Sequence, residues 1–180
     1  VADDRFHGIA PGRLLSLRAQ PAPWLDELAR GLSELPVCRQ VVQGSTLWLR
    51  LGPDEWWCWC EGGEEAVGSV AVQAIARAAG QSHYACVDLS DAYSAFLLLP
   101  PAADVLAQGC DLDFARLAAD FAGRTRLSAY TVVLAPSRAE PGAIRLWADA
   151  SLAESLQAWL ARAADLLPRS GAASDTPPGA

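Results

Sequence analysis

The chain contains no lysine and no methionine. All 14 of its basic residues are arginine, set against 21 acidic ones, for a net charge of −7 over 180 residues. The missing lysine removes a Schiff-base amine and the phosphate-gripping side chain of a P-loop. The acidic surplus removes the electrostatic footing for nucleic acid. Histidine is scarce: His7 and His83 are the only two, and neither has a Gly-x-Ser-x-Gly elbow or a matched cysteine motif to serve as base. No run reaches the roughly 18 apolar residues of a membrane span. Asp3, Asp4 and Arg5 stand where a signal peptide would carry its apolar segment. These absences lead to an expected cytoplasmic address, with neither nucleic acid nor membrane as partner.

What is abundant is apolar: 52% of the residues are hydrophobic, enough for one substantial core in a chain this long. Five cysteines (Cys38, Cys58, Cys60, Cys86, Cys110) form an odd, scattered set unlike the framework of a small secreted domain, and are expected to be reduced. Cys58 and Cys60 share one face of a predicted strand, about 7 Å apart. A metal there would need further ligands from Cys38, Cys86 or Cys110, yet no CxxC pair or His-x-x-x-His spacing accompanies them. The flanking Trp56, Trp57 and Trp59 favour buried structural thiols.

Arg13 to Ala19 reads as a strand, and Trp24, Leu25, Leu28 and Leu32 recur at helical spacing up to Pro36. Thr46 to Leu51 and Glu55 to Cys60, joined by Gly52-Pro53-Asp54, form a hairpin pattern. Glu64 to Ala79, with Val67, Val70, Ala71, Ala74 and Ala78 on one face, predicts a helix that stops at Gly80. Strands are predicted at 83–87 and 93–99, a short helix at 102–108, and a second hairpin from 126–134 and 143–148. Residues 110–123 carry no clear pattern. Ser151 and Glu154 have capping-box spacing before a last helix whose face is Leu152, Leu156, Trp159, Leu160, Ala163 and Leu167.

The element order implies an α+β fold: one compact domain over 13–167, made of two ferredoxin-like-related strand-helix-hairpin-helix halves, 13–79 and 85–167. Residues 1–12 are expected to be a flexible N-terminal segment. The small, polar, proline-rich residues 168–180 are expected to be a disordered tail.

Candidate chemistry is thin. Trp57 and Trp59 lie on the opposite strand face from Cys58 and Cys60, so both faces are apolar. Either the strand is buried on both sides, or one face is covered by a docking partner, which makes Trp57, Trp59 and the helical Trp159 interface candidates. Asp88, Asp91, Asp111 and Asp113 sit where aspartate normally caps or turns the backbone. Arg124 and Arg126, two apart near a strand, are weak candidates for gripping a carboxylate or phosphate. Gly62-Gly63 is followed by Glu64 and Glu65, which would repel a dinucleotide's phosphates.

Four segments in order carry a resemblance: Leu51-Gly52-Pro53-Asp54-Glu55-Trp56; Val87-Asp88-Leu89-Ser90-Asp91-Ala92-Tyr93; Ala103 through Asp113; and Arg124-Thr125-Arg126-Leu127. Together with the final helix bearing Trp159-Leu160, they make residues 13–167 resemble the gamma subunit of heterotetrameric sarcosine oxidase, whose fold is similar to the folate-binding aminomethyltransferase domain. Two departures stand out: Leu99-Pro100-Pro101 replaces a Ser-Gly-Pro-type turn, and Trp57-Cys58-Trp59-Cys60 replaces an aliphatic strand. The resemblance implies a chain with no cofactor and no catalytic or metal-binding residue of its own. FAD, FMN, NAD, tetrahydrofolate and zinc would belong to alpha, beta and delta partner subunits, which oxidatively demethylate sarcosine to glycine. The alternative is a protein that binds folate or another one-carbon carrier.

Overall fold

The computed structural model describes residues 6–9, 12–60 and 65–167. The expected tail at 168–180, the Gly62-Gly63 turn and Glu64 lie outside the described residues, as do 1–5, 10 and 11. Within the segment expected to be flexible, Phe6–Gly8 form a strand, β1, with Phe6 buried.

Among the described residues, ten strands make two antiparallel sheets. One contains β2 (Arg13–Ala19), β3 (Arg39–Gln43), β4 (Thr46–Arg50), β5 (Glu55–Cys60) and β6 (Tyr84–Asp88), in the order β3-β4-β5-β2-β6. The other contains β1, β7 (Tyr93–Leu98), β8 (Gly123–Leu127), β9 (Tyr130–Pro136) and β10 (Ile144–Asp149), in the order β1-β7-β10-β9-β8. Read from the β6 edge of the first sheet and the β1 edge of the second, the two orders coincide. The edge that β6 fills in one sheet is filled in the other by β1, from the far end of the sequence.

Alternation of side chains along the strands creates three apolar layers. Leu15, Leu17, Trp56, Cys58 and Cys60 face α1 (Glu65–Ala79) and the turns of 23–35. Phe96, Leu98, Val132, Leu134, Leu146 and Ala148 face α2 (Ala102–Ala107) and α3 (Ala153–Asp165). Between the sheets lie Leu14, Leu49, Trp57 and Trp59 on one side and Val133, Ala135 and Trp147 on the other. Helices therefore cover the outer face of each sheet, and all six residues of β5 are buried. Each fully buried large side chain contributes roughly 1.5–3 kcal/mol of transfer free energy.

Several local expectations are corrected. The helix expected at 24–35 is a short 3₁₀ turn, Pro23–Glu27, continued by single turns. Gly31 at φ 76° breaks the repeat, and the Asp26 carboxylate accepts from the Ser33 backbone and hydroxyl at 2.9 and 2.7 Å. The single strand expected over 126–134 is split into β8 and β9 at Ser128, whose φ is 54°. Leu25, Ala29 and Leu32 nonetheless reach the core. In α1 the described buried face runs through Ile75 and Ala79, beside half-buried Ala71, Ala74 and Ala78. The Ser151–Glu154 capping box does not form. Ser151 donates both its backbone N–H and its hydroxyl to Asp149, which caps a 3₁₀ turn at Ala150–Leu152 ahead of α3.

Candidate functional site

The start of β5 is the electrostatic centre of the fold. Glu55 is 6% exposed, and Arg124, reaching across from β8 in the other sheet, grips it through two guanidinium nitrogens at 3.0 and 3.4 Å. Arg18 on the neighbouring β2 adds a third contact at 3.2 Å and also meets Asp54 at 3.2 Å. The Arg124 guanidinium lies 5.7 Å from the Trp57 ring centroid, a cation–π placement that favours a charge with few waters around it. The hydrogen bond to Glu55 raises the Arg124 pKa further above its ordinary value, against the opposing effect of burial. Arg124, a weak candidate for gripping a carboxylate or phosphate, holds the chain's own Glu55 carboxylate. Arg126 is exposed and donates to the Ser128 carbonyl at 3.3 Å.

Trp57 and Trp59, at 1% and 4% exposure, lie between the sheets. Trp57 meets Tyr93 edge-on at 4.8 Å, and Trp59 meets Trp147 edge-on at 5.8 Å. These are aromatic packing geometries worth about 0.5–1.5 kcal/mol each beyond area burial. What covers the second face of β5 is the chain's own other sheet. Trp159, half-buried on α3, packs so closely on Gly109 that a Cβ there would stand 2.7 Å from its ring.

A second seam ties β3 to the loop before β8. Gln40, 2% exposed, donates its side-chain amide to the carbonyls of Ala119 and Pro136 at 3.2 and 2.9 Å. Its backbone N–H bonds Asp120, and Cys38 accepts from Ala122. Neither β3 nor Gln40 was anticipated; the only signal in the sequence was Val41-Val42 followed by Gly44.

The aspartates behave as turn residues. Asp88 accepts from Ser90 and pairs with Arg13 at 2.6 Å, and Asp113 accepts from the Ala115 backbone at 3.2 Å. Burial alone would raise the Asp88 carboxyl, but the Ser90 hydrogen bonds and Arg13 outweigh it and hold it below its ordinary value. His7 lies in β1, while His83 precedes β6. Among the described residues, no group of three or more His, Cys, Asp or Glu side chains could hold a metal ion.

Cys58 and Cys60 point to the helix side of β5, their sulfurs 3.9 Å apart. The Cys58 hydrogen bond, opposed by burial, brings Cys60 down to about 6, while the same contact and burial push Cys58 well up.

Two larger cavities lie elsewhere. One, of about 380 Å³, sits where the chain crosses between sheets and is bordered by Gly12, Trp59, Asp91, Tyr93 and Gln157. Another, of about 610 Å³, is an apolar groove bordered by Phe114, Leu117, Pro136, Arg138, Pro141 and Ile144.

No family model matches the chain, and no curated protein matches it. Solved structures do. The fold is similar to that of part of an aminomethyltransferase: the glycine cleavage system aminomethyltransferase T from Bartonella henselae superposes with a TM-score of 0.66 at 12% identity, covering 86% of this chain and 44% of that one. This chain therefore spans less than half of that protein. The heterotetrameric sarcosine oxidase from Corynebacterium sp. U-96, solved in complex with pyrrole 2-carboxylate, is similar more nearly from end to end. Its TM-score is 0.74 at 28% identity, over 92% of this chain and 87% of the matched one.

Proposed function

We propose that this chain is a non-catalytic, gamma-type subunit of a heterotetrameric sarcosine oxidase-like complex. The observation that carries the reading is the match to one chain of such a heterotetramer over nearly the whole length of both. The interior agrees with a structural role: the ionisable groups drawn together at β5 are engaged with one another, and the tryptophans fill the layer between the sheets. In this reading the FAD, FMN, NAD, tetrahydrofolate and zinc belong to alpha, beta and delta partners, where sarcosine is demethylated to glycine. This chain supplies a rigid docking body, and its two halves are ferredoxin-like repeats.

Co-expression with the candidate alpha, beta and delta chains, followed by size-exclusion chromatography, tests the proposal. Co-elution in equal stoichiometry is expected; a gamma chain that never co-elutes removes it. The aminomethyltransferase fold favours one competing reading, a site for folate or another one-carbon carrier. Titrating folate against the tryptophan fluorescence separates the two, since the subunit reading expects no saturable quenching in the isolated chain.

A further inference from the structure

We propose that Cys58 and Cys60 form a two-coordinate thiolate site for a soft monovalent ion of the copper group. The two sulfurs lie 3.9 Å apart on one face of β5, and both border a cavity of about 210 Å³ beneath α1, whose other walls include Glu27, Leu28, Gln43, Trp48, Ala71 and Ala74.

Strand geometry decides between the two things such a pair can do. Along a strand the Cβ atoms of residues i and i+2 stand about as far apart as two residue rises, roughly 6.6–6.8 Å, whereas a disulfide needs them within about 3.5–4.5 Å. Closing a disulfide would require buckling a strand that is hydrogen-bonded on both sides, to β2 and β4. A bridging ion asks for the opposite adjustment. With metal–sulfur bonds near the ~2.3 Å typical of thiolates, a linear S–M–S unit sets the sulfurs ~4.6 Å apart. Each sulfur then moves outward by roughly 0.3–0.4 Å, a χ1 change that stays within one rotamer well.

The surroundings select the ion. A divalent ion such as zinc would need two more good ligands, and no cluster of three or more His, Cys, Asp or Glu side chains exists among the described residues. Soft thiolates in a mostly apolar cavity suit an ion that is content with two sulfurs and loses little hydration on entry. The binding step involves no redox change: M⁺ and two thiols give the anionic bis-thiolate complex and two protons. Thr46, whose hydroxyl is 3.7 Å from the Cys60 sulfur, lies within reach to offset part of that negative charge.

The test uses the full chain, reduced and under argon, competing for Cu(I) against a chromophoric Cu(I) chelator, with Ag(I) as a redox-inert second probe. One equivalent should be withdrawn. Cys58→Ala and Cys60→Ala should each weaken binding at least 100-fold, while Cys38→Ala, Cys86→Ala and Cys110→Ala leave it unchanged. Failure to withdraw copper, or binding indifferent to both substitutions, overturns the proposal. Should either variant fold poorly, X-ray absorption on the copper-loaded wild-type chain decides independently: two sulfur neighbours are expected, and an oxygen or nitrogen shell overturns the site.

Discussion

Replacing Arg124 by alanine removes the cation that, among the described residues, reaches Glu55 from the opposite sheet. Glu55 keeps Arg18, but that side chain is 52% exposed and shares its charge with Asp54. The lost interaction comprises two hydrogen bonds to a charged and nearly buried acceptor, each worth about 1.5–3 kcal/mol when charge is involved. Arg124 is itself 40% exposed, so water screens and partly replaces the contact. The cation–π contact with Trp57 adds about 0.5–1 kcal/mol at such a site. A total near 2–3 kcal/mol is expected, which for a domain of this size lowers the Tm by roughly 4–12 °C. Urea unfolding followed by tryptophan fluorescence should show a lower midpoint with an unchanged slope. A double-mutant cycle with Glu55→Ala should return a coupling of at least about 1 kcal/mol. A loss under about 0.5 kcal/mol, or an Arg18→Ala variant that costs more than Arg124→Ala, would show that the sheets are not fastened by this pair.

Three further outcomes follow from the packing and the turns. Trp147→Ala empties the centre of the inter-sheet layer, where the side chain is fully buried, and should cost about 3–5 kcal/mol in the same denaturation assay; a cost near 1 kcal/mol would mean that the layer collapses around the gap. Gly12→Ala would place a Cβ 2.6 Å from the Cys60 carbonyl oxygen as well as from the Trp59 ring. Because backbone yields less readily than a side-chain tip, a loss of about 1–3 kcal/mol is expected, readable as a lower Tm. Asp88→Asn should destabilise the chain at neutral pH and progressively less as pH falls. The carboxyl titrates below its ordinary value when folded, so its contribution is present above the unfolded pKa and disappears as pH drops through the folded one; a penalty that persists unchanged at low pH contradicts this.

The parts of the fold legible in the sequence are those whose determinants are local. Gly52-Pro53-Asp54 between two aromatic-rich runs announced the β4–β5 hairpin, and the spacing of Leu156, Leu160 and Ala163 announced α3. Illegible were the elements decided by distant partners or by a single backbone angle. β3 is short and polar and is held by a loop some eighty positions later. Ser128 turns the chain with a positive φ that its side chain does not advertise. The capping box lost to Asp149, a residue two positions earlier that competes for the same serine. At β5 the alternation showed that both faces are apolar, but no pattern within a strand says whether the cover comes from the same chain or another. Likewise, the forked donors of Arg124 were visible, whereas its carboxylate lay 69 positions away.

The placement of β1 has a consequence for how the molecule comes into being on the ribosome. The sheet of β2 to β6 is assembled from one uninterrupted stretch and can close while the rest is still being made. The other sheet draws its edge from far upstream, pairing Phe6 with Leu98, so β1 emerges before β2 to β6 and finds its neighbour only long afterwards. Contacts so distant in sequence are slow to form, and until they do β7 offers an unpaired edge to other chains. Assembly of this sheet is therefore expected to be most vulnerable late, when every strand but β1 is in place.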